Sequence, residues 1–362
     1  MRICFYNVTA SFIPGGLETY CWEVGRAMAR RGHEVAIVAG DRGEARHDEV
    51  KLIRFPFRIE QSWPKFGTRF RRLMERLSFA RGGGLDHLVG AGYDAVIINK
   101  PFDFPVLWQA RRRGMKAQTL FRSGGTDFFR GDRLFAGAID HWVSTSRYNA
   151  AQIEARYARP VTVIHNGVDT GHFYPQAPTP GLAGLPADAR VIVSVGRIVG
   201  WKGLHVIVEA LAGLPADVHY LVIGEGPEKA ALQRLAERLG VAGRVRFAGR
   251  VPHADLPRWL TRGDVFVQPS IGEEAFGISV VEAMACGLPV LAADNGGMRE
   301  IVLPGCTGQL LPPGNVAAWR TALADLLTAG GREMGVAARN RAIDHFTWAA
   351  NAAAVERMLT EK

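Results

Sequence analysis

The sequence predicts an α/β protein built from two Rossmann-like domains that face each other across a cleft. Three observations support this fold class: a length of 362 residues, two series of short apolar runs that alternate with helical stretches, and a proline-rich segment between the series. A chain of this length suits two domains of ordinary size. Hydrophobic residues make up 48% and charged residues 22% of the chain, as in soluble globular proteins.

The first series begins with a βαβ unit. Residues 2–8 form a short apolar run, and apolar positions over about 17–31 recur at the spacing of a helix face. Gly32 ends this helix, and residues 34–39 are predicted as the second strand. Further strands are expected at 95–98, 117–121, 142–145 and 161–164. The alternation indicates a parallel sheet covered by helices on both faces.

A second series follows the segment 174–181, which holds three prolines in eight residues and is predicted as a linker. Strands are expected at 191–195, 219–223, 245–247, 265–268 and 289–292, with helices at 204–212 and 228–239. The predicted domains are therefore 1–170 and 171–340, followed by a segment 341–362. Open α/β sheets bind ligands at the carboxyl ends of their strands, which places the expected site in the interdomain cleft.

Composition limits the compartment and the partners. The four cysteines show no zinc-type spacing, so we expect reduced structural thiols and a cytoplasmic protein. The apolar start is predicted as a buried strand and not as a signal peptide. Residues 1–165 carry 26 Lys and Arg against 16 Asp and Glu, a net of +10, whereas the remainder carries −1. This asymmetry predicts an anionic partner for the first half: a membrane surface, a nucleic acid or an acidic substrate.

The segment 274–300 carries the strongest chemical signal. Glu274 and Glu282 are separated by seven residues, and a helix is predicted to begin among the residues between them: Phe276, Gly277, Ile278 and Ser279. A helix N-terminus offers free N–H groups to a phosphate. A carboxylate one turn inside, at Glu282, can accept two hydrogen bonds from a vicinal diol such as a ribose. The alternative is a surface glutamate beside a capped helix.

Two glycine-containing loops add to this signal. Arg197 and Lys202 follow a predicted strand and could converge on a diphosphate, although solvated basic residues are the alternative. The loop Pro14–Glu18 contains Gly15 and Gly16, which let a backbone approach a ligand closely. A Gly-Glu-Gly at 224–226 lacks the third glycine of the dinucleotide fingerprint, which argues against an NAD site.

Taken together, these motifs resemble the family-4 retaining glycosyltransferases. The paired Glu274 and Glu282, the GR…KG element and the GGLE loop carry the resemblance, with further matches at 163–169, 246–251 and 262–270. The match covers nearly the whole chain in motif order. It implies the GT-B fold, in which the C-terminal domain binds the nucleotide sugar and the N-terminal domain binds the acceptor. It also implies that a last helix, from near Phe346 to about Leu359, crosses back to the first domain; a helix packed on its own domain is the alternative.

The resemblance also implies roles for individual residues. Arg197 and Lys202 would bind the donor diphosphate, Glu282 the ribose and Glu274 the transferred sugar. Backbone around Phe276–Ser279 would hold a phosphate, backbone around Gly249 and Arg250 would contact the base, and Gly16 would approach the reaction centre. Many family members place a His in the loop after the strand 117–121. This sequence has Arg122–Asp127 there, so Asp127 or Ser123 is the candidate for that role, although a loop Asp is often a cap or turn residue.

A hexosyltransferase mechanism follows from the same resemblance. The sequence offers no nucleophile paired with a base, and the family implies a front-face reaction in which the donor phosphate helps to deprotonate the acceptor. With two cations for the phosphates and no DxD motif, we expect metal-independent transfer without a cofactor. The donor is expected to be a UDP- or GDP-linked sugar, and the acceptor a glycan or a lipid-linked molecule.

The acceptor hypothesis depends on a basic amphipathic stretch, predicted as a helix over 63–81. Such a helix could lie on an anionic membrane, or pack on the sheet with solvated arginines outside. With the charge asymmetry, this favours a peripheral enzyme acting on a lipid-linked or cell-envelope polysaccharide acceptor. The alternatives are a sugar-nucleotide epimerase, a phosphorylase or another enzyme of the same fold, and a nucleic-acid-binding protein. The last lacks any recognised basic-aromatic module, so no nucleic acid is expected.

Overall fold

A computed structural model describes residues 1–13, 15–177, 181–329 and 331–361. Pro14 of the predicted glycine loop, residues 178–180 of the predicted linker and Lys362 of the last predicted segment lie outside these ranges. The chain forms two compact units. Unit 1 comprises Met1–Asn166 together with Trp348–Lys362, and unit 2 comprises Gly167–Thr347. The unit boundaries therefore differ by a few residues from the predicted 170, 340 and 341.

The strands of the described residues alternate with helices along both units. The strands are β1 Arg2–Tyr6, β2 Glu34–Gly40, β3 Lys51–Phe55, β4 Ala95–Ile98, β5 Gln118–Ser123, β6 His141–Ser144, β7 Thr162–Val163, β8 Arg190–Val195, β9 Val218–Ile223, β10 Val245–Gly249, β11 Val265–Gln268, β12 Val290–Ala293 and β13 Gly308–Leu311. The α-helices are α1 Gly16–Ala29, α2 Thr68–Phe79, α3 Leu85–Gly90, α4 Phe104–Arg112, α5 Arg147–Tyr157, α6 Leu204–Leu211, α7 Lys229–Arg238, α8 Leu256–Leu260, α9 Ile278–Ala285, α10 Met298–Ile301, α11 Val316–Ala329, α12 Gly331–His345 and α13 Trp348–Thr360.

Unit 1 is built on a parallel sheet with the strand order β3-β2-β1-β4-β5-β6-β7. The central strands β1 and β4 are almost wholly buried because helices cover the sheet. The order reverses between β1 and β4, so their carboxyl ends leave a crevice of the kind that binds ligands in open α/β sheets.

Unit 2 repeats this architecture with the strand order β10-β9-β8-β11-β12-β13, again parallel throughout. Its core has two layers of buried side chains, one on each side of the sheet. The order reverses between β8 and β11. The predicted fold class, two Rossmann-like α/β domains, is confirmed at the level of each unit.

Two strands were missed by the sequence analysis, β3 and β13. Each borders only one strand in the sheet order, and β3 combines exposed Lys51 and Arg54 with half-buried apolar residues instead of forming an apolar run. The predicted strand 161–164 is also shorter in the structure, where β7 has two residues.

The predicted helix over 63–81 is wrong in its extent. α2 begins at Thr68 because Gly67 adopts φ +103°, and a wider helical segment, Ala80–Gly84, follows its end. Only part of the predicted basic face is solvated, since Arg76 is buried against Asp103 with an Nη1–Oδ2 distance of 2.7 Å. Within the described ranges, no helix combines the length and the apolar character that crossing a membrane requires.

Candidate active site

The switch point of the unit 2 sheet brings two predicted loops together. β8 and β11 are neighbours, with Ile192 opposite Val265. The loop after β8 carries Arg197 and Lys202, and the loop after β11 carries Glu274. Because both loops leave carboxyl ends of adjacent parallel strands, residues far apart in sequence meet at one edge of the sheet.

Lys202 and Glu274 form an ion pair at this edge. The Lys202 Nζ donates to Glu274 Oε2 at 2.5 Å, and Gln268 Nε2 donates to the same oxygen at 3.1 Å. Both charged side chains are mostly buried. The ammonium also lies 4.7 Å from the centre of the Trp201 ring. The pair thus forms a preorganised site with one cation and one carboxylate available to a polar ligand.

Arg197 lies on the rim of the same loop. Its side chain is exposed, and among the described residues its guanidinium has no hydrogen-bond or ion-pair partner. Together with Lys202, Gly196 and Gln268 it lines a small pocket at the end of β8. A free guanidinium beside a buried ammonium suits a ligand with two negative charges, such as a diphosphate.

Glycines allow the loops of this edge to pack backbone against backbone. A Cβ at Gly224 would lie 2.0 Å from the Gly196 carbonyl oxygen, and one at Gly226 would lie 2.1 Å from that of Ile198. The Gly-Glu-Gly segment therefore supports the loop of Arg197 instead of forming a dinucleotide site.

The loop of Glu274 is held in a similar way by a glycine pair after β12. A Cβ at Gly296 would lie 2.1 Å from the Glu274 carbonyl oxygen, and the amide of Gly297 donates to that oxygen at 2.8 Å. Asn295 Nδ2 donates to the Ser270 carbonyl at 2.7 Å. These contacts hold the backbone of Glu274 in place and so fix the position from which its side chain extends.

α9 starts directly after this loop, as predicted. Gly277 precedes it with φ +106°, and no side chain caps the helix. Ile278 and Ser279 at its first positions are half-buried. One turn further, Glu282 is buried, and its Oε1 lies 2.9 Å from His253 Nε2.

Three other predicted site residues have distinct environments. The Phe276 side chain is buried in the core, 5.8 Å from the Phe346 ring, so this side chain does not reach a ligand. Gly249 ends β10 with φ +71° and its carbonyl accepts from the Gly224 amide at 2.8 Å. Arg250 is exposed.

Unit 1 places Gly16 as the first residue of α1. Beneath this turn, Glu18 is buried and its Oε1 accepts from the Thr9 hydroxyl at 2.6 Å. A Cβ at Gly15 would lie 2.6 Å from Glu18 Oε2, so the glycine lets the glutamate fold back under the helix start. The described part of the GGLE loop is therefore a compact turn at the start of α1, held by the buried Glu18.

Asp127, the predicted substitute for the family histidine, forms ion pairs with two cations. Arg72 Nη1 and Lys100 Nζ donate to its Oδ2 at 2.5 and 3.1 Å. Burial opposes ionisation of Asp127, but Lys100 and Arg72 outweigh it and hold the pKa of this carboxyl below its usual range. Burial in turn lowers the pKa of Lys100. Ser123, the other candidate, is buried and its hydroxyl donates to the Gly125 carbonyl at 2.9 Å.

Arg122, near the end of β5, is buried and packs its guanidinium 4.1 Å from the centre of the Tyr20 ring. Its Nη2 donates to Asn166 Oδ1. Burial lowers the pKa of Arg122 to about 10. This arginine connects β5 to the last residue of the first segment of unit 1.

The structure thus brings Arg197, Lys202 and Glu274 to one edge of the unit 2 sheet, and Asp127 to a cationic cluster in unit 1. Sequence reasoning missed the support supplied by Gln268 and by Gly296–Gly297. It also missed His253, although this residue lies just after the family match at 246–251. Nothing in a single sequence indicates that His253 would meet Glu282, because 28 residues separate them.

The chain matches two family models. Glycosyl transferases group 1 matches residues 182–344, and Glycosyltransferase Family 4 matches residues 14–172. The first lies within unit 2 and contains Arg197, Lys202, Glu274 and Glu282. The second covers most of the first segment of unit 1.

Curated relatives and solved structures agree with these matches. A GDP-mannose-dependent alpha-(1-6)-phosphatidylinositol monomannoside mannosyltransferase from Mycolicibacterium smegmatis is 30% identical, covering 98% of this chain and 97% of the relative. A D-inositol 3-phosphate glycosyltransferase from Xylanimonas cellulosilytica is 30% identical, covering 94% and 90%. The structure of sucrose-phosphate synthase from Thermosynechococcus elongatus has a TM-score of 0.83 at 25% identity, covering 99% and 98%. The chain therefore has the GT-B fold and belongs to the glycosyltransferases of group 1 and family 4.

Proposed function

We propose that this glycosyltransferase transfers a hexose, with retention of configuration, from a nucleoside-diphosphate sugar to a hydroxyl of a lipid-linked or cell-envelope glycan acceptor. The observation that carries the donor half is the Lys202–Glu274 pair at the sheet switch point, with Arg197 beside it. Lys202 and Arg197 meet the diphosphate, and Glu274 meets hydroxyls of the transferred sugar.

The chemical step breaks the bond between the anomeric carbon and the diphosphate oxygen and forms a bond from that carbon to the acceptor oxygen. The acceptor proton passes to the departing diphosphate. Negative charge grows on the diphosphate as the bond breaks, so the preorganised cation Lys202 and the exposed Arg197 beside it stabilise the transition state more than the bound donor. The α9 N-terminus contributes further N–H groups to the same charge.

The acceptor is best described as an anionic, inositol-containing lipid or a related phosphorylated molecule. Two similar proteins are named for phosphatidylinositol mannoside or inositol phosphate acceptors. In unit 1, Lys100 and Arg72 share one carboxylate, that of Asp127. Arg72 also lies 3.5 Å from Glu60, so the charges of this cluster balance, and the argument for an anionic acceptor is the net charge of +10 over residues 1–165.

A transfer assay tests the donor half. Radiolabelled GDP-mannose, UDP-glucose and UDP-galactose are supplied with phosphatidylinositol as acceptor, and lipid products are resolved by thin-layer chromatography. Lys202→Ala is expected to lower kcat about a hundredfold or more, because a preorganised charge at the leaving group is lost. Lys116→Ala, at an exposed site, is the control. Wild-type activity in K202A contradicts the proposal, and isomerised nucleotide sugar without transfer indicates an epimerase instead.

We further propose that transfer needs neither a metal ion nor a cofactor. Lys202 and Arg197 supply two positive charges where a metal-dependent enzyme would hold its cation. The assay is repeated in excess EDTA, where unchanged activity is expected. Loss of transfer that Mg²⁺ or Mn²⁺ restores overturns this part of the proposal and leaves the donor assignment intact.

We also propose a peripheral position on the inner face of the cell membrane. The segment at the start of α2 presents Phe66 and Phe70, 78% and 37% exposed, in an edge-on pair whose ring centres are 5.5 Å apart. Lys65 and Arg69 are exposed beside them. Aromatic rings flanked by cations suit the interface of an anionic bilayer.

A further inference from the structure

His253 contacts Glu282 from a different element of unit 2. It lies in the loop between β10 and α8, and its Nε2 lies 2.9 Å from Glu282 Oε1. The glutamate side chain is 8% exposed, whereas the histidine side chain is 43% exposed. Glu282 is therefore a nearly buried carboxylate that contacts the more exposed imidazole of His253.

The two carboxylate oxygens of Glu282 have different environments. Oε1 is taken by His253, and within the described ranges Oε2 has no hydrogen-bond partner. An ionised carboxylate at this depth requires hydrogen bonds, since burial without them is costly. Without His253, the Glu282 carboxylate would rotate toward water to regain a hydrogen bond, and it would no longer offer its second oxygen in the same place.

The histidine is itself held in place by aromatic neighbours. The Phe173 ring meets the His253 ring edge-on at 5.1 Å, and the His172 ring lies 6.0 Å away. The His172 Nε2 also lies 3.1 Å from the His253 carbonyl oxygen. These contacts restrict the imidazole orientation, so its N–H is aimed at Glu282 before any ligand binds.

From this geometry we infer that His253 is a positioning residue for the nucleotide ribose: it holds the Glu282 carboxylate in the rotamer that offers a free oxygen to the vicinal ribose hydroxyls. The inference rests on the proposed function, since it requires that Glu282 binds a nucleotide ribose. His253 acts through Glu282 and need not touch the ligand.

Ribose recognition is measured by comparing nucleotides with and without the diol. Binding of GDP, UDP and ADP and of their 2′,3′-dideoxy counterparts is measured by isothermal titration calorimetry with the full-length chain. In the wild type, removal of the diol is expected to weaken binding about tenfold or more, the usual effect of hydrogen bonds to a charged group. In His253→Phe, which keeps an aromatic ring beside Phe173, the two forms are expected to bind with nearly equal affinity. His253→Gln, which keeps an N–H at a similar reach, is expected to recover part of the preference.

A purely structural histidine would give another pattern. H253F would then weaken both nucleotides equally and leave their ratio at the wild-type value, which overturns the inference. Equal affinity of the wild type for a nucleotide and its 2′,3′-dideoxy counterpart also overturns the inference, and it leaves the donor proposal standing. If none of the three nucleotides binds, the proposed function fails together with the inference. Should H253F not fold, as judged by circular dichroism, His253→Ala replaces it in the same comparison.

Discussion

At the scale of single residues, the proposed donor site depends on glycines as much as on charges. Lys202 and Glu274 are the charged residues proposed for the chemistry, but the loop of Arg197 can only approach the next strand because Gly224 lacks a side chain. A methyl group there would overlap the Gly196 carbonyl. Gly224 also has φ +138°, a conformation that L-residues rarely adopt.

This predicts that Gly224→Ala displaces the loop of Arg197. Nucleotide affinity and transfer should fall about tenfold or more, and the clash and backbone strain together should cost roughly 2–4 kcal/mol of stability. Gly240→Ala is the matched control, because Gly240 also has positive φ but no atom lies within 4 Å of an added Cβ. It should cost only about 1 kcal/mol. Equal losses of affinity in both variants, measured by calorimetry, would contradict the clash argument.

At the scale of elements, α2 separates its charges by the face on which they lie. Arg76 is buried against Asp103, and Arg72 pairs with Asp127 and Glu60. Arg76 is therefore part of the protein interior, and the guanidinium of Arg72, whose side chain is 39% exposed, is held in ion pairs, so neither is counted toward membrane binding. Of the basic and aromatic side chains over 63–81, the exposed ones lie between Lys65 and Phe70, apart from Arg81.

Membrane binding should therefore depend on that short segment. Phe66→Ser combined with Phe70→Ser is expected to weaken co-sedimentation with phosphatidylglycerol vesicles at low salt about tenfold or more, because two apolar rings no longer enter the interface. Leu134→Ser is the control, since Leu134 is 80% exposed in the same unit and lies outside the segment. If the wild type does not bind such vesicles, or the double variant binds equally well, α2 is only structural.

At the scale of the whole molecule, unit 1 is assembled from two distant parts of the chain. α13 packs on α1, where the Trp348 ring meets the buried Tyr20 at 6.3 Å. Asn351 Nδ2 donates to the His165 carbonyl at 2.6 Å, and Glu356 forms ion pairs with Arg31 and with His33. The Arg31 hydrogen bond holds the pKa of Glu356 below its usual range, so its contribution to stability is lost as pH falls through that lowered value.

Trp348→Ala should consequently destabilise unit 1 although the residue follows unit 2 in the sequence. Removing a buried indole typically costs about 3–5 kcal/mol. Hydrogen–deuterium exchange should rise in β1, β2 and α1 and stay unchanged in β8, β9 and β11. Val336→Ala, at an exposed position of α12, should shift stability by no more than about 0.5 kcal/mol. Faster exchange confined to unit 2 in W348A would refute the assignment of α13.

Periodicity and glycine punctuation were sufficient to predict most of the fold. Buried parallel strands such as β8 and β9 are continuous apolar runs, and their local pattern suffices to recognise them. The start of α9 after Gly277 was also predicted from a local pattern, a glycine followed by a run of helix-forming residues. β3 and β13 were missed because neither is a continuous apolar run: β3 contains Lys51 and Arg54, and β13 begins with Gly308 and Gln309.

The sequence by itself determined the fold class and the family, and it supplied the charged residues proposed for the donor site, because these depend on local patterns and motif order. The tertiary structure alone decided which of these residues have partners. Lys202 lies 72 positions from Glu274, Arg72 lies 55 from Asp127, and His253 lies 29 from Glu282. Such pairs form where the carboxyl ends of neighbouring strands and the helices beside them meet. That proximity follows from the order of strands in the sheet, which no local pattern of residues encodes.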